Sequence, residues 1–225
     1  MNTVIMNTTS APIISMRNLD VKFRQKTKWY LPARTFYALR GVDIDIYEGE
    51  TLGIIGRNGA GKSTLLKIMA GILRPDNGVI YNRGVSISLL ALQAGFDWDL
   101  DGHDNAIING MLLGYSKRDV KALLPKIREF SGLGDFFDQP IRTYSSGMVS
   151  RLAFSVAIYM RPDVLLLDEV LSVGDQEFRR KAEAEMMKKI HSQQTVVLVS
   201  HSQEQVKRLC DRVIDLETIN HRFDN

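Results

Sequence analysis

At 225 residues, with 29 lysines and arginines against 26 acidic residues and a net charge of +3, the chain is sized for one α/β domain, with or without an inserted subdomain, and lacks the basic excess of a dedicated nucleic-acid binder. Its single cysteine, Cys210, excludes a disulfide framework within the chain, fits a reducing compartment and is expected as a small buried hydrophobe. No apolar run reaches the roughly 18–20 residues that span a bilayer, so the chain reads as soluble and cytoplasmic unless something else holds it at a membrane.

Met1 to Ala11 is rich in Thr and Asn and has no basic stretch ahead of an apolar one, so it is expected to be a loose tail and not a secretory signal. Pro12 to Phe23 alternates apolar and polar residues and predicts an opening strand. Gln25 to Phe36 is basic and aromatic, with Lys26, Lys28, Trp29, Tyr30 and Arg34 around Pro32; it reads as an inserted loop or hairpin, either a solvated turn or a contact surface. Tyr37 to Tyr47 supplies another strand, and Glu48-Gly49-Glu50 turns into a short apolar one ending at Ile55.

Gly56-Arg57-Asn58-Gly59-Ala60-Gly61-Lys62-Ser63 then spells G-x-x-x-x-G-K-S, followed by a helical stretch from Thr64 to Ala70. A strand, a glycine turn and a helix in that order are the context in which this pattern binds the phosphates of a nucleoside triphosphate. Glycines let the backbone wrap so that N–H groups face phosphate oxygens, and the opening helix adds the positive end of its dipole. Lys62 is expected to neutralise β- and γ-phosphate charge and the Ser63 hydroxyl to ligate Mg²⁺.

From about Asp104 to Met160 the apolar spacing is helical, as in Ile107, Ile108, Met111 and Leu112. The βα rhythm resumes with a buried strand at Val164 to Leu167, a charged helix over 176–190 and another buried strand from Thr195 to Val199. Short runs of Leu and β-branched residues suit parallel strands covered on both faces, giving a mostly parallel α/β core with a mainly helical insertion. Asp168 and Glu169 follow the first of these strands directly, at the end where open α/β sheets bind ligands. Asp168 is expected to hold Mg²⁺ through a water and Glu169 to polarise the attacking water.

Between the phosphate loop and the paired acids lies Tyr144-Ser145-Ser146-Gly147-Met148, with Arg151 after it; Ser172-Val173-Gly174-Asp175 and Val199-Ser200-His201 follow the acids. This order resembles the ABC-type ATPases over nearly residues 14–216: a signature motif usually written Leu-Ser-Gly-Gly-Gln, a D-loop and a switch histidine. Ser146 stands where that signature has glycine and Met148 where it has glutamine. In this respect the chain is similar to the branch that exports polysaccharides and teichoic acids, O-antigen and capsule exporters included. Gly53 to Gly59, Ala94-Gly95-Phe96 and Glu169 to Asp175 add to that likeness.

The resemblance implies a single ABC ATPase domain over 1–225, with 1–11 a flexible tail and a helical subdomain at about 93–160 inserted in a P-loop core, whose mostly parallel sheet carries an antiparallel β edge. It implies ATP and Mg²⁺ as ligands. Gly56, Asn58, Gly59, Ala60, Gly61, Lys62, Ser63 and Thr64 would bind the nucleotide from one subunit, and Ser145, Ser146, Gly147 and Asp175 from the other, in a head-to-tail homodimer. Ser63, Asp168 and Gln93, the Q-loop glutamine, are the implied metal positions; Glu169, His201 and Gln93 are the implied catalytic ones. Either Phe23 or Tyr37 would stack on adenine, Phe23 being preferred because it ends the first strand.

The implied partners are two copies of an integral-membrane subunit, with a lipid-linked glycan as cargo and no nucleic acid, at the cytoplasmic face of the plasma membrane. About nine residues follow Leu216, which leaves no room for a C-terminal carbohydrate-binding domain; the chain is either of a short, capsule-like type or cut at a domain boundary. The competing expectations are the ATPase of another ABC transporter and a soluble ABC-type ATPase acting on ribosomes or DNA.

Overall fold

The computed structural model describes residues 11–25, 34–89, 95–168, 174–200 and 203–221. Two sheets organise them. Strands β1 (Ile14–Gln25), β2 (Arg34–Ile46) and β4 (Asn77–Asn82) form an antiparallel sheet in the order β2-β1-β4. Strands β3 (Thr51–Ile55), β5 (Ile87–Leu89), β6 (Val164–Asp168), β7 (Thr195–Val199) and β8 (Arg212–Asp215) form a wholly parallel sheet in the order β5-β6-β7-β3-β8.

The central strands of the parallel sheet are buried on both faces, which is why they read as unbroken apolar runs: Val164 to Leu167 and Thr195 to Val199 are all buried. Helix α1 (Lys62–Met69) and the antiparallel sheet cover one face through Met16, Leu39, Leu65 and Leu66. Helices α5 (Gln176–His191) and α6 (Gln203–Leu209) cover the other, with Phe154, Phe178 and Met186 in that layer. Helices α2 (Gly102–Leu112), α3 (Lys117–Ser131) and α4 (Ser146–Tyr159) close on a third apolar cluster around Ile127, Phe137 and Leu152. Two short 3₁₀ turns, Gly134–Asp138 and Ile141–Thr143, lead into α4, and α7 (Leu216–Ile219) follows β8 directly. Among the described residues no helix is long and apolar enough to cross a membrane.

The segment expected as an inserted loop is partly ladder. The pairing of β1 with β2 continues past Phe23 and Phe36, whose rings lie 5.9 Å apart, to Gln25 opposite Arg34. Cross-strand contact and backbone pairing extend the hairpin after the apolar alternation has stopped. Lys26, Lys28, Trp29, Tyr30 and Pro32 lie outside the described residues. Strand β4 carries no periodic signal, because four of its six residues are exposed; its place is set by pairing with β1, Met16 opposite Ile80. Cys210 is half-buried, not fully buried as expected, and packs at the margin of the α5–α6 layer, where burial pushes its thiol up to about 12.

Candidate functional site

The phosphate-loop motif occupies the turn between β3 and α1. Gly61 holds φ +103, and a Cβ there would stand 2.6 Å from the Ala38 carbonyl oxygen and 2.8 Å from Leu39 Cδ2. Only a residue without a side chain lets the loop lie this close against β2. At Gly59 the added atom would meet nothing within 4 Å, so the outer side of the loop is open. Gly61 caps α1 without any side-chain hydrogen bond, leaving the first-turn N–H groups for an anion.

Lys62 is buried, 6% exposed, inside this turn. Its ammonium donates to the carbonyls of Gly56 at 2.7 Å and Arg57 at 3.0 Å. An ammonium has three protons, so this arrangement retains one donor for an oxyanion. Ser63 is exposed, and Thr64 is half-buried, in the first turn of α1.

Asp168 ends β6 two strands from the loop. It is paired with Val199 of β7, and Val199 is paired on its other side with Ile54, two residues before Gly56. With strands about 4.8 Å apart, the register places Asp168 and the entrance to the loop level at the carboxyl edge of the sheet, about 10 Å apart across β7. A hydroxyl and a carboxylate presented at that edge are hard oxygen donors of the kind Mg²⁺ accepts. Gln93, Glu169 and His201 lie outside the described residues.

The other motif residues meet elsewhere. Ser145, Gly147, Met148, Arg151, Asp175 and Phe136 line an open pocket of about 420 Å³ that no phosphate-loop residue enters. Ser145 is the N-cap of α4; its hydroxyl accepts the Met148 N–H at 3.2 Å. Capping takes a lone pair and leaves the O–H free to donate outward. Ser146 is exposed beside it. Asp175 caps α5 through the Phe178 N–H at 2.9 Å, and its second oxygen pairs with Arg151 of α4. One chain thus carries two separate helix openings among the motif residues, those of α1 and α4.

Both adenine candidates sit on the antiparallel sheet. Phe23 is 38% exposed and contacts Phe36, whereas the Tyr37 ring is flanked by Lys22 at 5.0 Å and Arg40 at 5.2 Å. Tyr37 directly precedes Ala38, against which Gly61 packs.

Four residues make contacts that the sequence does not indicate. Glu217 accepts the Arg57 N–H, and buried Asn220 donates to the Ala60 carbonyl. Buried Asn105 accepts the Asp97 N–H and donates to the carbonyls of Asp97, Leu100 and Asp101, tying the chain into α2. Arg151 adjoins the signature in the sequence, but its pairing with Asp175 joins two distant segments. None has a periodic or motif signal, except that a lone Asn among apolar helix positions hints at burial.

A family model described as ABC transporter matches residues 39–172, more than half of the chain, and covers the phosphate loop, the signature and the paired acids. The chain belongs to the ABC transporter family. It is similar to the O-antigen export system ATP-binding protein RfbB of Klebsiella pneumoniae, 41% identical over 91% of this chain and 82% of the relative. Similarity to the Myxococcus xanthus protein of the same description is 49% over 77% of this chain and 40% of the relative. The teichoic acids export ATP-binding protein TagH of Shouchella clausii is 41% identical over 80% of this chain and 50% of its own length. The chain therefore spans about half the length of several curated relatives. In fold it matches a dimeric ATP-binding cassette solved in a post-hydrolysis state with ADP and Pi, with a TM-score of 0.72 and 22% identity over 90% of this chain and 93% of that one. The family and fold expected from the motifs, a parallel core with an antiparallel edge and helices, stand.

Proposed function

We propose that the chain is the ATP-binding and ATP-hydrolysing subunit of a transporter that exports a lipid-linked polysaccharide, of the O-antigen, capsule or teichoic acid class, across the cytoplasmic membrane. The observation that carries the activity is the open cradle between β3 and α1, with Lys62 keeping a donor for phosphate. The similarity to O-antigen and teichoic acid export proteins carries the substrate class.

In this reading the backbone of Gly56, Asn58, Gly59, Ala60 and Gly61, together with Lys62 and Thr64, binds the triphosphate. Phe23 or Tyr37 receives the adenine. Ser63, Asp168 and Gln93 would hold Mg²⁺, which when bound would neutralise phosphate charge. Glu169 takes the proton of the attacking water, and His201 and Gln93 contact the reacting end of the nucleotide. Ser145, Ser146 and Gly147 face the nucleotide of a second copy, offering an O–H and the opening of α4 to its γ-phosphate; Asp175 stands beside them. The separation of the α1 and α4 openings within one chain supports a head-to-tail pair, since each site is completed by the other copy. Closing the pair excludes water and couples hydrolysis to two copies of a membrane-embedded subunit at the cytoplasmic face. The domain reading over 1–225, with a helical subdomain at about 93–160, rests on the apolar cluster shared by α2, α3 and α4.

Two measurements test the proposal. Glu169→Gln is expected to retain ATP and slow turnover by about two orders of magnitude or more; parental turnover would remove Glu169 from the chemistry. In cells, loss of the gene is expected to abolish a surface glycan that the parent gene restores and a Lys62→Ala gene does not. A glycan unaffected by the deletion would overturn the cargo assignment while leaving the ATPase reading intact.

A further inference from the structure

The last described turn of the chain reaches back to the phosphate loop. Glu217, on α7, accepts the Arg57 backbone N–H at 2.6 Å through one carboxylate oxygen and the Arg57 guanidinium at 2.8 Å through the other. Asn220, 1% exposed, donates to the Ala60 carbonyl at 3.2 Å and the Ala38 carbonyl at 3.0 Å, and accepts the Arg40 N–H at 2.9 Å. The network fixes the orientation of this amide, because turning it over would face its oxygen to two carbonyls and its NH₂ to a donor.

Peptide planarity carries these contacts further. In a trans peptide the C=O and the following N–H point in opposite directions. The Arg57 N–H turned to Glu217 therefore aims the Gly56 carbonyl the other way, and that carbonyl is the one that receives Lys62 at 2.7 Å. A carboxylate, a peptide and an ammonium are thus aligned in one chain of hydrogen bonds, each polarising the next. Likewise, an Ala60 carbonyl held by Asn220 turns the Gly61 N–H away from β2, toward the open side of the loop.

We propose that Glu217 and Asn220 are positioning residues for nucleotide binding. They set the Gly56–Arg57 and Ala60–Gly61 peptides, and through the first they place the Lys62 ammonium. This rests on the reading of the loop as a triphosphate cradle. Asn220 also ties the loop to β2 at Ala38 and Arg40, so the strand that carries Tyr37 and the loop hold one relative position before nucleotide arrives.

Titration of the full chain with mant-ATP and Mg²⁺, followed by fluorescence, tests it. Glu217→Ala is expected to raise the dissociation constant roughly ten-fold, the effect of one lost charge-assisted hydrogen bond. Glu217→Gln, which keeps a carbonyl oxygen for the Arg57 N–H, is expected to recover most of that loss. Arg57→Ala, which keeps the backbone N–H and removes only the surface ion pair, is expected to weaken binding less than Glu217→Ala. Asn220→Ala should act in the same direction as Glu217→Ala; where it fails to fold, the two Glu217 variants decide. The unfolding midpoint of each chain without nucleotide separates affinity from folding. Parental affinity in Glu217→Ala, or a loss of equal size in Glu217→Gln, overturns the inference. A parent chain that binds no mant-ATP overturns the nucleotide reading itself and the inference with it.

Discussion

The Arg151 guanidinium on α4 pairs with the Asp175 carboxylate at the start of α5, and lies 5.4 Å from the centre of the Phe178 ring. The helix that opens at the signature and the start of α5 are therefore tied to each other within one chain. A movement of either must carry the other or break the pair.

Two substitutions at Asp175 separate its tasks. Asp175→Asn keeps an acceptor for the Phe178 N–H but loses the ion pair, and is expected to cost about 0.5 kcal/mol of stability at this partly exposed site. Asp175→Ala loses the cap as well and should cost about 1 kcal/mol more. Urea unfolding of both chains checks the difference; equal losses would show that the cap contributes nothing.

Ser145 caps α4 and, in the proposed function, also faces phosphate; aspartate separates the two roles. Aspartate is as good an N-cap as serine, so Ser145→Asp should fold at parental stability, while Ser145→Ala loses about 1 kcal/mol. A carboxylate facing the γ-phosphate of the other copy repels it, so Ser145→Asp should nevertheless abolish ATP-driven dimer closure. Size-exclusion chromatography of this variant carrying Glu169→Gln, with ATP, reads that closure. A closed dimer would mean that Ser145 does not meet nucleotide.

At Asn105 the environment asks for a donor. Asn105→Ala removes four hydrogen bonds that a fully buried side chain makes with Asp97, Leu100 and Asp101, and is expected to destabilise by about 3 kcal/mol. Asn105→Asp sets a carboxylate against three carbonyls and should be worse at neutral pH. Its deficit relative to Asn105→Ala should shrink as the solution is acidified, since a protonated carboxyl regains one donor. Thermal unfolding at two pH values measures this.

Lys189 gives a pH signature. Burial, then the neighbouring Arg161, pull its ammonium down to about 8 from 10.5, while it donates to the Met160 carbonyl at 2.8 Å. Between those values the unfolded chain holds the proton more tightly, so stability attributable to Lys189 rises with pH from about 8 upward. Cys210, raised to about 12 from 9.0, acts in the opposite sense once the pH exceeds 9, and Tyr144, raised to about 12 from 10.0, does so above 10. The clean window is therefore about pH 8 to 9. There the parent should gain stability relative to Lys189→Met by about 1 kcal/mol. Parallel stability curves for the two chains across that window would remove Lys189 as the cause.

Residues that announce themselves in the sequence do so because the chemistry leaves no alternative type. Gly61 must lack a side chain against Ala38, and Val164 to Leu167 must be apolar on both faces of a covered sheet. The strand-end position of Asp168 follows from the same run, since an acid cannot continue a buried parallel strand. The rest is decided by contacts between distant segments. Nothing near Asn220 says that it will face Ala38 and Ala60, and nothing in Asn77 to Asn82 says that β1 will pair with it. Phe23 and Phe36 extended the hairpin through each other, a cross-strand fact that no single window of sequence contains. The roles proposed for Gln93 and His201 come from resemblance alone, since each is a lone polar residue in the sequence, whereas Glu169 is marked by its place beside Asp168 after a buried apolar run.

Gly53 lies in the middle of β3, three residues ahead of the phosphate loop. A single added carbon there would fall 2.3 Å from Val206 Cγ1 and 2.9 Å from Cys210 Sγ, both on the α6 side of the sheet. The clearance between helix and strand is thus no wider than a hydrogen atom. The strand that delivers the loop can neither slide nor tilt toward α6, and a methyl group at this one position would shift the loop as surely as a change in the loop itself.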